Sequence, residues 1–224
     1  MNIFEQDPQY EKYYTLQKEM AKRVIAEDQN SITINLVAGI DVAYDDNKDI
    51  MVAAVTLFNN DTGELLEIKT HWAKAIFPYV PGLFSFRELP PALEVMEQLS
   101  QKPDLIICDA HGIAHPRRFG FACHLGVETD IATIGCGKKR LIGDFVKPEG
   151  TRGSYSYLID KNEKIGCALT TQDNLKPVFV SQGHKISLET SIEFVLKFCT
   201  DYRLPETTRA SDHAVRMAMK KINE

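Results

Sequence analysis

Leu36-Val37-Ala38-Gly39-Ile40-Asp41 and Leu105-Ile106-Ile107-Cys108-Asp109 are two apolar runs, the first interrupted and the second ended by a carboxylate. Continuous apolarity, rather than alternation, marks strands buried on both faces. An acid carried on such a strand is out of place, because an unpartnered buried charge costs several kcal/mol even after relaxation. Glu88, which follows the loop Pro78-Tyr79-Val80-Pro81-Gly82-Leu83, is a third acid of this kind. A group of them implies something cationic between them, and a divalent metal is the economical candidate.

Outward from the first run, strand-like segments are expected at about 34–44, 50–58 and 64–71, joined by the short turn formers Asp45-Asp46-Asn47-Lys48 and Asn59-Asn60-Asp61-Thr62-Gly63, which makes an antiparallel meander. An amphipathic helix is expected at about 8–28, with Tyr10, Tyr13, Tyr14, Leu16, Met20 and Val24 largely on one side. Pro90-Pro91 is read as the first turn of a helix running to about Leu99. The strand ending at Asp109, a short helix near 119–128 and a strand at about 131–136 then give a β-α-β-α-β rhythm with parallel strands. Further strands fall at about 154–160, 164–170 and 177–182, and two helices at about 187–199 and 206–222 close the chain. An antiparallel meander joined to parallel strands, with acids at the sheet centre and helices alongside, is an α/β, ribonuclease-H-like mixed sheet.

The chain has 224 residues and is expected to form one domain over 1–224. Met1-Asn2-Ile3-Phe4-Glu5-Gln6-Asp7 lacks the basic start and apolar block of a secretory signal, and no segment approaches a membrane-spanning length. A soluble, cytoplasmic, monomeric protein is expected, with no membrane partner. Cys108, Cys123, Cys136, Cys167 and Cys199 form an odd set without a C-x-x-C pair and read as reduced core residues. A formal charge of -5 argues against bulk electrostatic binding of nucleic acid, but Arg117-Arg118 and Lys138-Lys139-Arg140, with Lys147 and Arg152 behind them, would form a basic rim if the fold gathers them beside the acids.

Mg²⁺ takes hard oxygen ligands and typically needs one or two protein carboxylates plus substrate phosphate. Asp41 and Asp109 supply that number, and Glu88 could hold a second metal or a metal-bound water. Zinc is disfavoured: His111 and His115 stand four apart, but Gly112 and Pro116 oppose a helix there and no acid or cysteine completes the set nearby. His184 reads either as a contact to the sheet edge or phosphate, or as a satisfied structural histidine.

The run Asp109-Ala110-His111-Gly112-Ile113-Ala114-His115-Pro116-Arg117-Arg118-Phe119-Gly120, with Gly39-Ile40-Asp41-Val42-Ala43-Tyr44 and Pro78-Tyr79-Val80-Pro81-Gly82-Leu83-Phe84-Ser85-Phe86-Arg87-Glu88, resembles endonuclease V. The likeness continues through Gly137-Lys138-Lys139-Arg140, Pro177 to His184 and Arg203 to Arg209, and so spans nearly the whole chain in order. The resemblance implies a Mg²⁺-dependent deoxyribonuclease, with Mn²⁺ as a substitute. Its partner would be damaged DNA containing deoxyinosine, nicked at the second phosphodiester bond 3′ to the lesion to leave 3′-hydroxyl and 5′-phosphate ends.

By the same resemblance Asp41 and Asp109 match the metal-binding aspartates, Glu88 their acidic partner, and Lys138 the active-site lysine. His115 matches the histidine of the loop after the second aspartate, and Asp212 falls where the family carries a further acid or histidine. Pro78-Tyr79-Val80-Pro81 resembles the family's wedge, in which two prolines hold Tyr79 to fill the gap left by an extruded nucleotide. Main-chain groups of Gly82, Leu83 and Phe84 and of Ala110, His111, Gly112 and Ile113 are expected to read the hypoxanthine edge. The family usually has glycine where Ala110 stands and often leucine where Phe84 stands, so a methyl group and a ring narrow the pocket. The rival readings are a nuclease for inosine-containing RNA or branched DNA, and a non-catalytic nucleic-acid-binding module.

Overall fold

Eight strands pair into one mixed sheet in the computed structural model, which describes residues 7–29, 33–45 and 48–223. They are β1 (Leu36–Asp45), β2 (Ile50–Asn59), β3 (Leu65–Lys74), β4 (Leu105–Cys108), β5 (Ala132–Gly137), β6 (Tyr155–Asp160), β7 (Glu163–Leu169) and β8 (Val178–His184), in the order β3-β2-β1-β4-β5-β8-β7-β6. β1, β2 and β3 form the antiparallel meander, β1, β4 and β5 are parallel, and β8, β7 and β6 continue antiparallel from β5. Residues 46 and 47 of the first expected turn, and 1–6 of the N-terminus, lie outside the described residues.

Because successive side chains of a strand point to opposite faces, the apolar runs split between two cores. Val37, Leu105 and Ile107 pack with Ile192, Val195 and Phe198 of α4 (Leu188–Phe198). Ala38, Ile40, Ile106 and Cys108 pack instead with Leu89, Ala92 and Val95 of α2 (Ser85–Met96) and with Phe121, Ala122 and Leu125 of α3 (Phe121–Thr129). The closing helix α5 (Glu206–Asn223) lays Ala214 and Val215 on Val52 and Ala54 of β2. All five cysteines are free and buried. Among the described residues no helix is long and apolar enough to cross a membrane.

Two helices differ from expectation. α1 covers only Glu11–Ala21, after a single 3₁₀ turn at Pro8–Tyr10, because the sheet takes over the next polar groups: His184 Nδ1 accepts from the Ile25 N–H at 3.3 Å, and the Ile25 carbonyl accepts from the Lys185 N–H at 2.6 Å. Its buried face reads Tyr14, Gln17 and Met20, a polar residue at its centre, while Leu16 is exposed. α2 begins at Ser85, ahead of Pro90 and Pro91, which sit inside it. Each proline removes one backbone donor, and the buried face of Leu89, Pro91, Ala92 and Val95 outweighs the loss. Glu88 therefore stands in the first turn of a helix.

Candidate active site

Parallel pairing of β1 with β4 aligns Ile40 with Cys108, so Asp41, midway along β1, and Asp109, the first residue past β4, lie side by side where that parallel ladder ends. The Asp109 N–H donates to the Ile40 carbonyl at 3.4 Å and ties the two positions together. α5 contributes the third acid. Gly39 permits this, since a Cβ there would lie 2.1 Å from the Thr207 carbonyl oxygen, and the same oxygen accepts from Thr56 Oγ1 at 2.9 Å. With α5 seated so closely on β1, Asp41, Asp109 and Asp212 each bring one carboxylate oxygen within 4.8 Å of the others. Glu88 arrives from α2, on the opposite side of the sheet, and stands outside that triad while still acting on it electrostatically.

Ionisation of Asp41, Asp109 and Glu88 is opposed by the fold. Burial, then the neighbouring Asp109, pushes Asp41 up to about 6, with the Lys138 ammonium acting the other way. Burial and the Asp41 carboxylate raise Glu88 well above the usual range. Asp109 is raised by burial although Lys138 Nζ contacts its Oδ2 directly. Burial alone would lower Lys138, but the bond to Asp109 outweighs it and holds the ammonium on. Lys138 Nζ lies 3.7 Å from Asp212 Oδ1, and Arg216 Nη2 lies 3.0 Å from the same oxygen. Hard carboxylate oxygens this close, charged only against resistance, fit a hard divalent cation better than they fit one another.

A cavity of about 640 Å³ adjoins the acids, lined by Tyr44, Tyr79, Pro81, Gly82, Phe84, Glu88, Asp109, Ala110, His111, His115, Gly137, Lys138, Lys139 and Leu141. Tyr79 is 60% exposed, whereas Val80 is packed against Tyr14 and Leu83. Val80-Pro81-Gly82-Leu83 forms a turn closed by the Leu83 N–H on the Val80 carbonyl at 2.9 Å, with Gly82 at φ 78°, a backbone that favours glycine.

Several expected positions serve elsewhere. Leu83 is fully buried in the core beneath the turn. Gly112 and Ile113 are outside the cavity wall, because their backbone is spent on β8: the Gly112 N–H donates to Ser181 Oγ at 2.9 Å and the Ile113 N–H to the Gln182 carbonyl at 2.8 Å. His111 and His115 do not converge. His111 Nε2 meets the Lys139 carbonyl at 3.0 Å, and His115 Nε2 meets the Gly82 carbonyl at 3.1 Å. His115 Nδ1 accepts from the Arg117 N–H at 3.3 Å, and burial, with Arg117 beside it, lowers its pKa to about 3. It is thus a neutral ring with both nitrogens engaged. His184 is a structural latch to Ile25.

The basic rim does not assemble as a block. Lys138 and Lys139 line the cavity, but Arg117 turns inward to the Gly82 carbonyl, Arg118 binds Asp160 and Glu163, Arg140 binds Asp144, and Arg152 caps the carbonyls at the end of α4. Tyr44, Gly137, Lys139 and Leu141 are cavity residues that the sequence did not single out for it. Arg203 is another omission, donating from Nη2 to the Lys138 carbonyl at 2.8 Å. Its place between α4 and α5 was legible in sequence, but its aim at the residue after β5 was not.

A ribonuclease-H-like sheet with acids clustered where its central parallel ladder ends defines a class of nuclease. The family model described as Endonuclease V matches residues 18–213, and the chain belongs to the endonuclease V family, enzymes that hydrolyse phosphodiester bonds. It is 46% identical over 213 residues to an endonuclease V of Rippkaea orientalis, covering 95% of this chain and 91% of that protein. The crystal structure of the Streptomyces avermitilis endonuclease V superposes with a TM-score of 0.91 at 41% identity, over 96% of this chain and 94% of that one. That of the Ciona intestinalis enzyme, in complex with DNA containing an inosine followed by a ribo-adenosine, superposes with a TM-score of 0.86 at 28% identity, over 96% of this chain and 100% of that one.

Proposed function

We propose that this chain is a Mg²⁺-dependent endonuclease of DNA repair that recognises deaminated bases, chiefly deoxyinosine, and nicks the second phosphodiester bond on the 3′ side of the lesion. The observation that carries this reading is the triad Asp41, Asp109 and Asp212 beside a cavity whose lining includes the exposed ring of Tyr79. Asp41, Asp109 and Asp212 would hold the ion, and Glu88 would hold a second ion or a water of the first. When bound, the ion supplies neutralisation of the phosphodiester charge and a water of lowered pKa, and 3′-hydroxyl and 5′-phosphate ends result. Mn²⁺, with the same preference for oxygen donors, is expected to substitute.

The chain's own residues do the remaining work. Lys138 keeps its proton and presents a compact positive charge beside the acids, where the scissile phosphate would lie. Tyr79 fills the stack left by the extruded nucleotide, whose opening costs least at a mismatched or damaged base. The cavity is within the roughly 300–1,000 Å³ typical of ligand sites, which suits a flipped base. Its wall at Gly82, Phe84, Ala110 and His111 reads the base edge. Hypoxanthine offers O6 as acceptor and N1–H as donor, the reverse of adenine, and a wrongly paired buried group costs about 1–3 kcal/mol.

The ribo-adenosine in the Ciona ligand favours inosine-containing RNA as the second reading. The deciding experiment incubates a deoxyinosine oligonucleotide, its undamaged counterpart and an inosine RNA with Mg²⁺ or with EDTA. A Mg²⁺-dependent nick confined to the deoxyinosine strand is expected. Cutting confined to RNA moves the substrate, and no cutting of any of the three leaves a binding module.

A further inference from the structure

The Gly82 carbonyl oxygen is approached by three donors from two distant parts of the chain: Gln17 Nε2 at 3.0 Å, His115 Nε2 at 3.1 Å and Arg117 Nη2 at 2.7 Å. Gln17 is the hub. Its side chain is fully buried, its Nε2 donates also to the Phe119 carbonyl at 2.9 Å, and its Oε1 accepts from Arg117 Nε. With both amide protons on carbonyls and the oxygen on a guanidinium, the amide has one workable orientation, since a flip would face oxygen against two carbonyls. A satisfied buried network of this kind is rigid, and deleting one member strands the others.

Gly82 belongs to the turn that links Tyr79 on one side to α2, and so to Glu88, on the other. Gln17 lies on α1, one residue before the stretch matched by the family model. The geometry points to Gln17 as a positioning residue for the wedge: through Gly82 it holds Tyr79 and Glu88 at one separation, so that prying the duplex open delivers the strand to the acids. His115 acts in the same clamp rather than in proton transfer. The inference rests on the wedge reading given above for Tyr79.

Gln17→Leu tests it with two measurements on the full chain. In hydrogen exchange, the Leu83 amide should exchange at least about tenfold faster while the amides of β1 and β4 keep their protection. In single-turnover nicking, the rate on a deoxyinosine duplex should fall about tenfold and the rate on a single-stranded deoxyinosine oligonucleotide less than about threefold, since a single strand needs no prying. Unchanged exchange at Leu83 overturns the clamp. Equal rate losses on the two substrates, or none, overturn its role in positioning the wedge. If the wild-type protein cuts neither substrate, the deoxyinosine reading fails, and the exchange measurement still decides the clamp. Should β1 and β4 lose protection in Gln17→Leu, Gln17→Glu is read the same way, because it keeps the reach to Arg117 and sets an oxygen against both carbonyls.

Discussion

Asp109 is a single carboxylate with a lysine on one oxygen and two other aspartates in range, and its removal separates chemistry from binding. Asp109→Asn keeps shape and loses charge; nicking should fall by at least about a thousandfold, while a gel-shift Kd for the lesion stays within about threefold. Normal turnover in this variant removes Asp109 from the mechanism. Tyr79→Ala should weaken binding to a deoxyinosine duplex about tenfold, the scale of one base–aromatic stack, with metal affinity unaltered; unchanged discrimination between damaged and normal duplex would make the loop merely structural. Asp41 and Asp109 were legible in sequence because a charge within an apolar run violates a strong rule. Asp212 was a weak signal, since an acid on a polar helix face violates nothing, and its meaning depends on where α5 returns to the sheet. Gln17 carried no signal at all: its three partners are Gly82, Arg117 and Phe119, far away along the chain.

At the level of elements, the close seat of α5 on β1 is what brings Asp212 to the aspartates. Gly39→Ala would place a methyl group 2.1 Å from the Thr207 carbonyl, against backbone that cannot rotate aside. The helix must shift, at about 1–3 kcal/mol for an overpacked site. Both thermal stability and nicking should fall, and adding metal should not restore the nicking; full activity in this variant would show that α5 does not set the cluster. The antiparallel meander and the parallel direction of the central strands were readable from turn formers and apolar runs, but the order across the sheet was not. The limits of α4 and α5 were readable to within about one residue, but those of α1 and α2 were not, and for different reasons at each. α1 ends early because His184 and Lys185 compete for the backbone of Ile25. α2 starts early because burial of its apolar face outweighs two prolines that local rules place at a helix start.

Across the molecule the sheet supports acids that resist ionisation, and this couples folding to pH and to metal. Asp41, raised to about 6, binds its proton more tightly in the native protein than in the unfolded chain. Its contribution to stability is therefore present at low pH and is lost as pH rises from about 4 through about 6. The raised pKa values of Asp109 and Glu88 act with the same sign. Buried His115 and His124, lowered to about 3 and about 4, act with the opposite sign, losing stability as pH falls below about 6.5. The histidines contribute alike with and without a cation, so the difference between those two conditions isolates the acids. At pH 8 a divalent ion meets an ionised Asp41 and relieves its repulsion with its neighbours; at pH 5 it must first displace a proton from Asp41. Mg²⁺ at about one hundred times its Kd stabilises by about 2.7 kcal/mol, which raises the melting temperature of a protein of this size by about 5–10 °C. That rise is expected at pH 8, with a much smaller one at pH 5 for the same Mg²⁺ concentration, and Asp41→Asn should reduce the rise at pH 8. Thermal unfolding in four conditions, two pH values each with Mg²⁺ or EDTA, measures it directly. Equal shifts at the two pH values would show that the ion binds somewhere other than among these acids.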